Sequence, residues 1–177
     1  YKNLAKEKNI PWKNIDFFLG DERCVNPNSK YSNINMCKKN LLNKIPILSS
    51  QIYEISMKGK NPKKISQEYE RKIKKYFNGK KITFDLTLLG VGNDGHIASL
   101  FKNNIKKNTK KYVDFVIKKD FKRITLTIKS INNSRNIFLW APGKNKNKIV
   151  NNIIKDKKFI YPASYLKSKN NFLFYSN

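Results

Sequence analysis

An α/β fold, with a mostly parallel, Rossmann-like sheet flanked by helices, is what this sequence predicts, and three observations carry the prediction. Short apolar runs rich in β-branched and aromatic residues alternate along the chain with segments whose apolar residues recur at helical spacing. Several of the runs stop abruptly at glycine, at Gly20, at Gly90 and Gly92, and at Ala141-Pro142-Gly143. Polar residues with acid–base or anion-binding chemistry follow those stops directly, where open α/β sheets hold their ligands.

The elements follow in order. Tyr1 to Asn9 reads as the tail of an amphipathic helix ended by Pro11, because proline disfavours helix in the residue before it. Ile15 to Leu19 is a short strand closed by Gly20, which leaves Asp21-Glu22-Arg23 exposed at its carboxyl end. Val25 to Ser32 is turn chemistry, and Ser32 caps a helix from Asn33 to about Asn43. Gln51 to Ile55 is a short edge element, and Met57 to Pro62 a loop. Lys64 to Phe77 is a helix through Ile65, Tyr69 and Ile73, ended by Asn78-Gly79. Phe84 to Leu89 reads as a strand buried on both faces, and Ile97 to Phe101 opens the next element after the glycine turn. Lys102 to Lys111 is a loop rich in asparagine and lysine. Tyr112 to Ile117 and Arg123 to Ile128 alternate as strands, and Ile137 to Trp140 is a further buried strand. Lys144 to Ile154 is the helix after it, and Tyr161 to Leu166 with Phe172 to Tyr175 form a last turn and strand. No internal repeat is visible.

Length and composition bound the rest. The 177 residues suit a single domain with a real core. A net charge of +26 raises nucleic acid as a partner, but lysines recur in nearly every segment instead of forming one stripe, which argues for compositional bias and against a binding face. Cys24 and Cys37 are too few for a disulfide scaffold and lack zinc-site spacing, so a reducing, cytoplasmic setting and no metal are expected. No apolar run approaches the ~20 residues of a membrane helix. The first residue is Tyr1, and the chain opens in helical character, so an N-terminal portion is expected to lie outside this sequence.

The candidate chemistry centres on His96, the single histidine. A lone histidine is often structural. Here Asp94 precedes it by two residues, Gly90, Gly92 and Gly95 permit close backbone approach, and a strand end suits a general base titrating near neutrality. Asp21-Glu22-Arg23 taken alone is a solvated turn, but two strand-end loops can meet at one sheet edge, and arginine's fork suits phosphate or carboxylate. Lys146 lies where a third loop opens a helix, so its ammonium and the helix N-terminus both attract an anion. Gly90-x-Gly92-x-x-Gly95 has the spacing of a dinucleotide fingerprint without the acidic residue that ribose binding needs, which argues against NAD. Arg23 beside Cys24 invites a lowered thiol pKa, yet no partner histidine is evident in that loop, and Cys37 reads as core.

Together these motifs resemble the 6-phosphogluconolactonases of the pentose phosphate pathway. Trp12 to Pro27 with Ser32-Asn33 is similar to that family's W…F-x-x-D-E-R-x-V-P…S-N pattern, and Phe84 to Phe101 to its F-D-x-x-L-L-G-x-G-x-D-G-H-x-A-S-L-F signature. Arg123 to Thr127, Gly143 to Lys146 and Pro162-Ala163-Ser164 match its R-I-T-L-T, G-x-x-K and P-A-S stretches. The resemblance implies a sheet like that of glucosamine-6-phosphate deaminase and ribose-5-phosphate isomerase. It also implies cofactor-free hydrolysis of 6-phospho-D-glucono-1,5-lactone, a sugar-phosphate lactone, in a chain that in some lineages is fused to glucose-6-phosphate dehydrogenase. By the same carry-over His96 is the base that activates water, Asp94 and Asp21 shape its environment, and Arg23 and Lys146 hold the substrate phosphate. Gly92, Gly95 and Asn33 line the pocket.

The match to the family pattern falls short in four places. The family's glycine-rich S-G-G-S/T phosphate loop and first strand are expected to lie upstream of Tyr1, outside this sequence, Asn26 interrupts V-P, Lys102 replaces a proline, and Asp120-Phe121-Lys122 replaces a proline-rich lead. The alternatives are a sugar-phosphate deaminase or isomerase of the same fold and a non-catalytic basic nucleic-acid module. Arg23, where the deaminases resemble Asp-Glu-Tyr, and Ala98-Ser99-Leu100-Phe101 favour the lactonase.

Overall fold

The computed structural model describes residues 1–57 and 61–167 and the backbone of 172–175. In chain order the strands are β1 (Phe17–Phe18), β2 (Asp21–Arg23), β3 (Ile52–Tyr53), β4 (Leu86–Gly90), β5 (Val113–Ile117), β6 (Lys122–Leu126), β7 (Asn136–Trp140) and β8 (Phe172–Tyr175). The helices are α1 (Asn33–Asn40), α2 (Pro62–Phe77), α3 (Ile128–Asn132) and α4 (Asn147–Lys155). β1 pairs with β3, and β4, β7 and β8 lie side by side, all in parallel. The remaining strands form an antiparallel sheet in the order β2-β6-β5. The α/β class therefore holds, with an antiparallel sheet beside the parallel ones.

Local chemistry explains the helices. Ser32 caps α1 by accepting from Asn35 N, and Asn61 caps α2 by accepting from Lys64 N with Pro62 at the first helical position. Asn78 in the left-handed region closes α2, whose Ile65, Tyr69 and Ile73 sink into the main core. α3 went unpredicted because five residues cannot display a period. Thr127 caps it by accepting from Ser130 N, and Ile128 and Ile131 anchor it in the core. A smaller cluster of Trp12, Ile34, Leu41, Leu42 and Ile45 lies under α1, and Gln51 ties it to the chain by donating to the carbonyls of Trp12 and Ile15.

Several expectations change. Tyr1 to Asn9 holds only a 3-10 turn at Leu4–Lys6. Asp21-Glu22-Arg23 is not a solvated turn but the strand β2 itself, in register with Thr125, Ile124 and Arg123 of β6. β4 is not buried on both faces: Thr87 and Leu89 are buried while Leu86 and Leu88 are 56% and 45% exposed, and β7 alternates likewise. An unbroken apolar run shows no period, so it cannot reveal which of its faces is covered. Ile97 to Phe101 does not open a regular element. Bridges of Val91 to Ile97 and Ile97 to Leu100 fold the segment back on the end of β4. The expected loop over residues 57–62 lies partly outside the described residues.

Candidate active site

The loop from Val91 to Phe101 presents the histidine. Gly92 N donates to His96 O at 2.8 Å, and Gly95, at φ +76°, turns the chain. A Cβ on Gly92 would lie 2.1 Å from His96 Nδ1, so only glycine lets the imidazole lie across the turn. A Cβ on Gly95 would meet Tyr161 at 2.7 Å, and Ala163 N donates to Gly95 O, so the Pro162–Tyr165 turn supports the loop from behind.

His96 Nδ1 lies 2.5 Å from Asp94 Oδ1, with the imidazole 32% and the carboxylate 62% exposed. What burial Asp94 has works against its charge, but the hydrogen bonds from the His96 ring and backbone N–H outweigh it and hold the carboxyl below its ordinary range. An ionised Asp94 makes Nδ1 the protonated nitrogen. The lone pair of the neutral ring then resides on Nε2, which makes no hydrogen bond among the described residues. Such a pair has the geometry that a general base with an orienting carboxylate requires.

β2 supplies the second group. Successive strand residues face opposite ways, so Asp21 and Arg23 share one face and Glu22 takes the other. Asp21 accepts from Ser99 Oγ at 2.7 Å and from Asn33 Nδ2 at 3.0 Å, and Ser99 N donates to Thr125 Oγ1. These bonds dock the histidine loop onto the antiparallel sheet. Burial pushes the Asp21 carboxyl above its ordinary range, against the Ser99 hydrogen bond and the charges of Arg23, Arg123 and His96. Arg23 Nη1 donates to Tyr31 O at 2.9 Å.

Lys146 comes from the parallel sheet's side, at the end of the 3-10 turn that leads into α4. Its Nζ lies 2.9 Å from Val91 O and 2.5 Å from Asn93 Oδ1, so its charge sits against the base of the same loop. Asn33 is spent on Asp21, and Gly92 and Gly95 on the loop's own geometry. Cys24 runs opposite to the lowered thiol, since burial and then Glu22 raise its pKa. No metal-holding cluster of His, Cys, Asp and Glu exists among the described residues, and no helix there is long and apolar enough to cross a membrane.

Sequence reasoning missed three residues. Glu22 is 1% exposed, and its carboxylate accepts from Arg23 N, Ser32 Oγ, Asn33 N and Ile34 N, which locks the start of α1 onto β2. Phe101 packs its ring 4.7 Å from that of His96. Arg123 faces Arg23 across the strand pair. Alternation along β2 and β6 was the available signal for the arginine.

The sequence model of the family described as "Glucosamine-6-phosphate isomerases/6-phosphogluconolactonase" matches residues 1–174. The 6-phosphogluconolactonase of Thermotoga maritima is 32% identical over 171 residues, which span 96% of this chain and 74% of that one. That of Synechocystis is 31% identical over 94% of this chain and 72% of its own. A crystal structure of 6-phosphogluconolactonase from Thermotoga maritima superposes with a TM-score of 0.87 at 31% identity, over 99% of this chain and 78% of that one.

Proposed function

Because the chain belongs to the glucosamine-6-phosphate isomerase/6-phosphogluconolactonase family, we propose that it hydrolyses 6-phospho-D-glucono-1,5-lactone to 6-phospho-D-gluconate, the second step of the oxidative pentose phosphate pathway. One observation carries the chemistry: an imidazole oriented by a carboxylate at the end of a parallel strand, with its outer nitrogen available.

His96 Nε2 takes a proton from water as the water oxygen attacks the lactone carbonyl carbon. The tetrahedral intermediate collapses by breaking the bond to the ring oxygen, and the imidazolium returns its proton to that oxygen. Atoms balance as lactone plus water gives the open acid, which then ionises. Asp94 holds the ring and offsets the charge it gains in the first step. Asp21 holds Ser99, and with it the loop, in place. Arg23 and Lys146 are the cations we assign to the substrate phosphate, Arg23 through its fork and Lys146 as a point charge beside an anion-attracting turn. Asn33, Gly92 and Gly95 shape the pocket by fixing Asp21 and the loop. The substrate is what a glucose-6-phosphate dehydrogenase releases, and we place the two activities in succession, in the cytoplasm.

The test is acid release from freshly generated 6-phosphogluconolactone, measured against the spontaneous rate. Hydrolysis above background supports the reading. Ammonia release from glucosamine 6-phosphate with no excess lactone hydrolysis overturns it in favour of a deaminase of the same fold.

A further inference from the structure

β2 and β6 set two arginines directly opposite one another, Arg23 and Arg123. Like charges at such a position destabilise a strand pair unless something offsets them. The partners at hand do so only in part. Arg23 Nη1 donates to a backbone carbonyl, and Arg123 Nη2 pairs with Asp120. The Nε of each is buried without a hydrogen-bond partner among the described residues, although the Arg123 side chain is only 10% exposed. Asp21, on the same face, has its oxygens taken by Ser99 and Asn33, and Glu22 is committed to α1 on the other face. A third cation approaches, since Lys118 Nζ lies 3.9 Å from the centre of the Phe101 ring. The Arg123 guanidinium is 5.6 Å from that ring centre, and the ring packs on His96. One aromatic side chain thus lies against both the imidazole and the buried Arg123 guanidinium.

We propose that Arg123 binds the same substrate phosphate as Arg23, and that Asp120 is an internal carboxylate which the phosphate displaces from it. The proposal rests on the lactonase reading above. A phosphate dianion carries enough acceptors to reach both forks, and it offsets two charges where the carboxylate offsets one. Asp120 is suited to displacement. It precedes β6, its carboxylate is 51% exposed, and its pairing with Arg123 spans only three residues, so the strand register does not depend on it. The placement also fits the chemistry, with the base and the phosphate of the same sugar both held beside Phe101.

The test titrates inorganic phosphate into the wild-type chain, Arg123→Gln, Arg123→Lys and Asp120→Asn, following the rise in unfolding temperature, and then as a competitive inhibitor of lactone hydrolysis. Losing a charged hydrogen-bonding partner weakens phosphate binding roughly 10- to 100-fold in Arg123→Gln. KM rises by the same factor while kcat stays near wild type. Arg123→Lys recovers part of the loss, because lysine restores the charge without the fork. Asp120→Asn tightens phosphate binding in the wild-type background and changes nothing in the Arg123→Gln background. Equal phosphate affinity in wild type and in an Arg123→Gln protein of native circular dichroism overturns the proposal. If Arg123→Gln does not fold, the exposed Asp120→Asn decides alone, and unchanged or weakened phosphate binding there overturns it. Arg123-dependent phosphate binding in a chain that does not hydrolyse the lactone retains the arginine pair and removes the lactonase reading.

Discussion

The loop after β4 and the strand β2 each carry an aspartate two residues before a basic side chain, Asp94 with His96 and Asp21 with Arg23, and they treat it in opposite ways. In the loop the chain folds over Gly92, the two side chains meet at 2.5 Å, and the mostly exposed carboxyl is held below its ordinary range. In the strand, residues two apart share a face but stand about 6.6 Å from each other along the chain. Asp21 therefore bonds Ser99 and Asn33 instead, and burial pushes its carboxyl up. The same spacing yields a hydrogen-bonded carboxylate–imidazole pair in one place and a docking post in the other, and the backbone decides which.

The largest effect comes from removing the loop's pair. His96→Ala should lower kcat by ~10²–10⁴-fold with the unfolding temperature nearly unchanged, since the ring is partly exposed. A variant that keeps more than a tenth of the activity above the spontaneous rate moves the base elsewhere. Gly92→Ala attacks the pair through the backbone. Its new methyl must displace a ring that would stand 2.1 Å away, and a misplacement of that order costs ~10²-fold in rate while His96 itself stays in the protein. Full activity in Gly92→Ala would show that the loop has slack the geometry denies.

On the strand side the corresponding test is one of stability. Glu22→Gln removes the charge shared by Arg23 N and three donors at the start of α1, and should cost about 1.5–3 kcal/mol, read from denaturant midpoints. Loss of activity in step with loss of folded protein, and no further, keeps Glu22 structural. A fall in kcat in fully folded protein would give the strand a chemical role that its buried face argues against.

Much of this contrast was legible in the sequence, and its limits are physical. Glycines at 90, 92 and 95 before a lone histidine announce a loop at a strand end, because few other arrangements need so many residues without a side chain. Ser32 as a cap and the spacing of Ile65, Tyr69 and Ile73 likewise name α1 and α2 directly. What the sequence hid depends on partners far along the chain. Asp21-Glu22-Arg23 looks like a solvated turn until β6, a hundred residues away, supplies the backbone bonds that make it a strand. The pairing of Arg23 with Arg123 and the hold of Ser99 on Asp21 have the same origin, since they join elements by register and carry no local signature. Leu86 and Leu88 show the converse, as their exposure depends on what packs over them.

The smallest expected effect separates the two aspartates most cleanly, because they shift in opposite directions. Asp94 has its folded carboxyl lowered, so its contribution is fully present above the ordinary carboxylate pKa of about 4 and is lost as pH falls through the lower folded value. Asp21 has its folded carboxyl raised, so the folded protein holds its proton more tightly than the unfolded chain. Stability then falls as pH rises from about 4 through the raised value and stays lower above it. Unfolding temperature measured across pH should accordingly change in two different places. Asp94→Asn removes part of the acid-side loss below about pH 4 and leaves the rest of the profile alone, by a modest amount because the pair is largely in water. Asp21→Asn removes the decline above about pH 4 and leaves the acid limb alone. Two variants that flatten the same limb would mean that the carboxylates share one environment, and the division between an exposed pair and a buried post would fail.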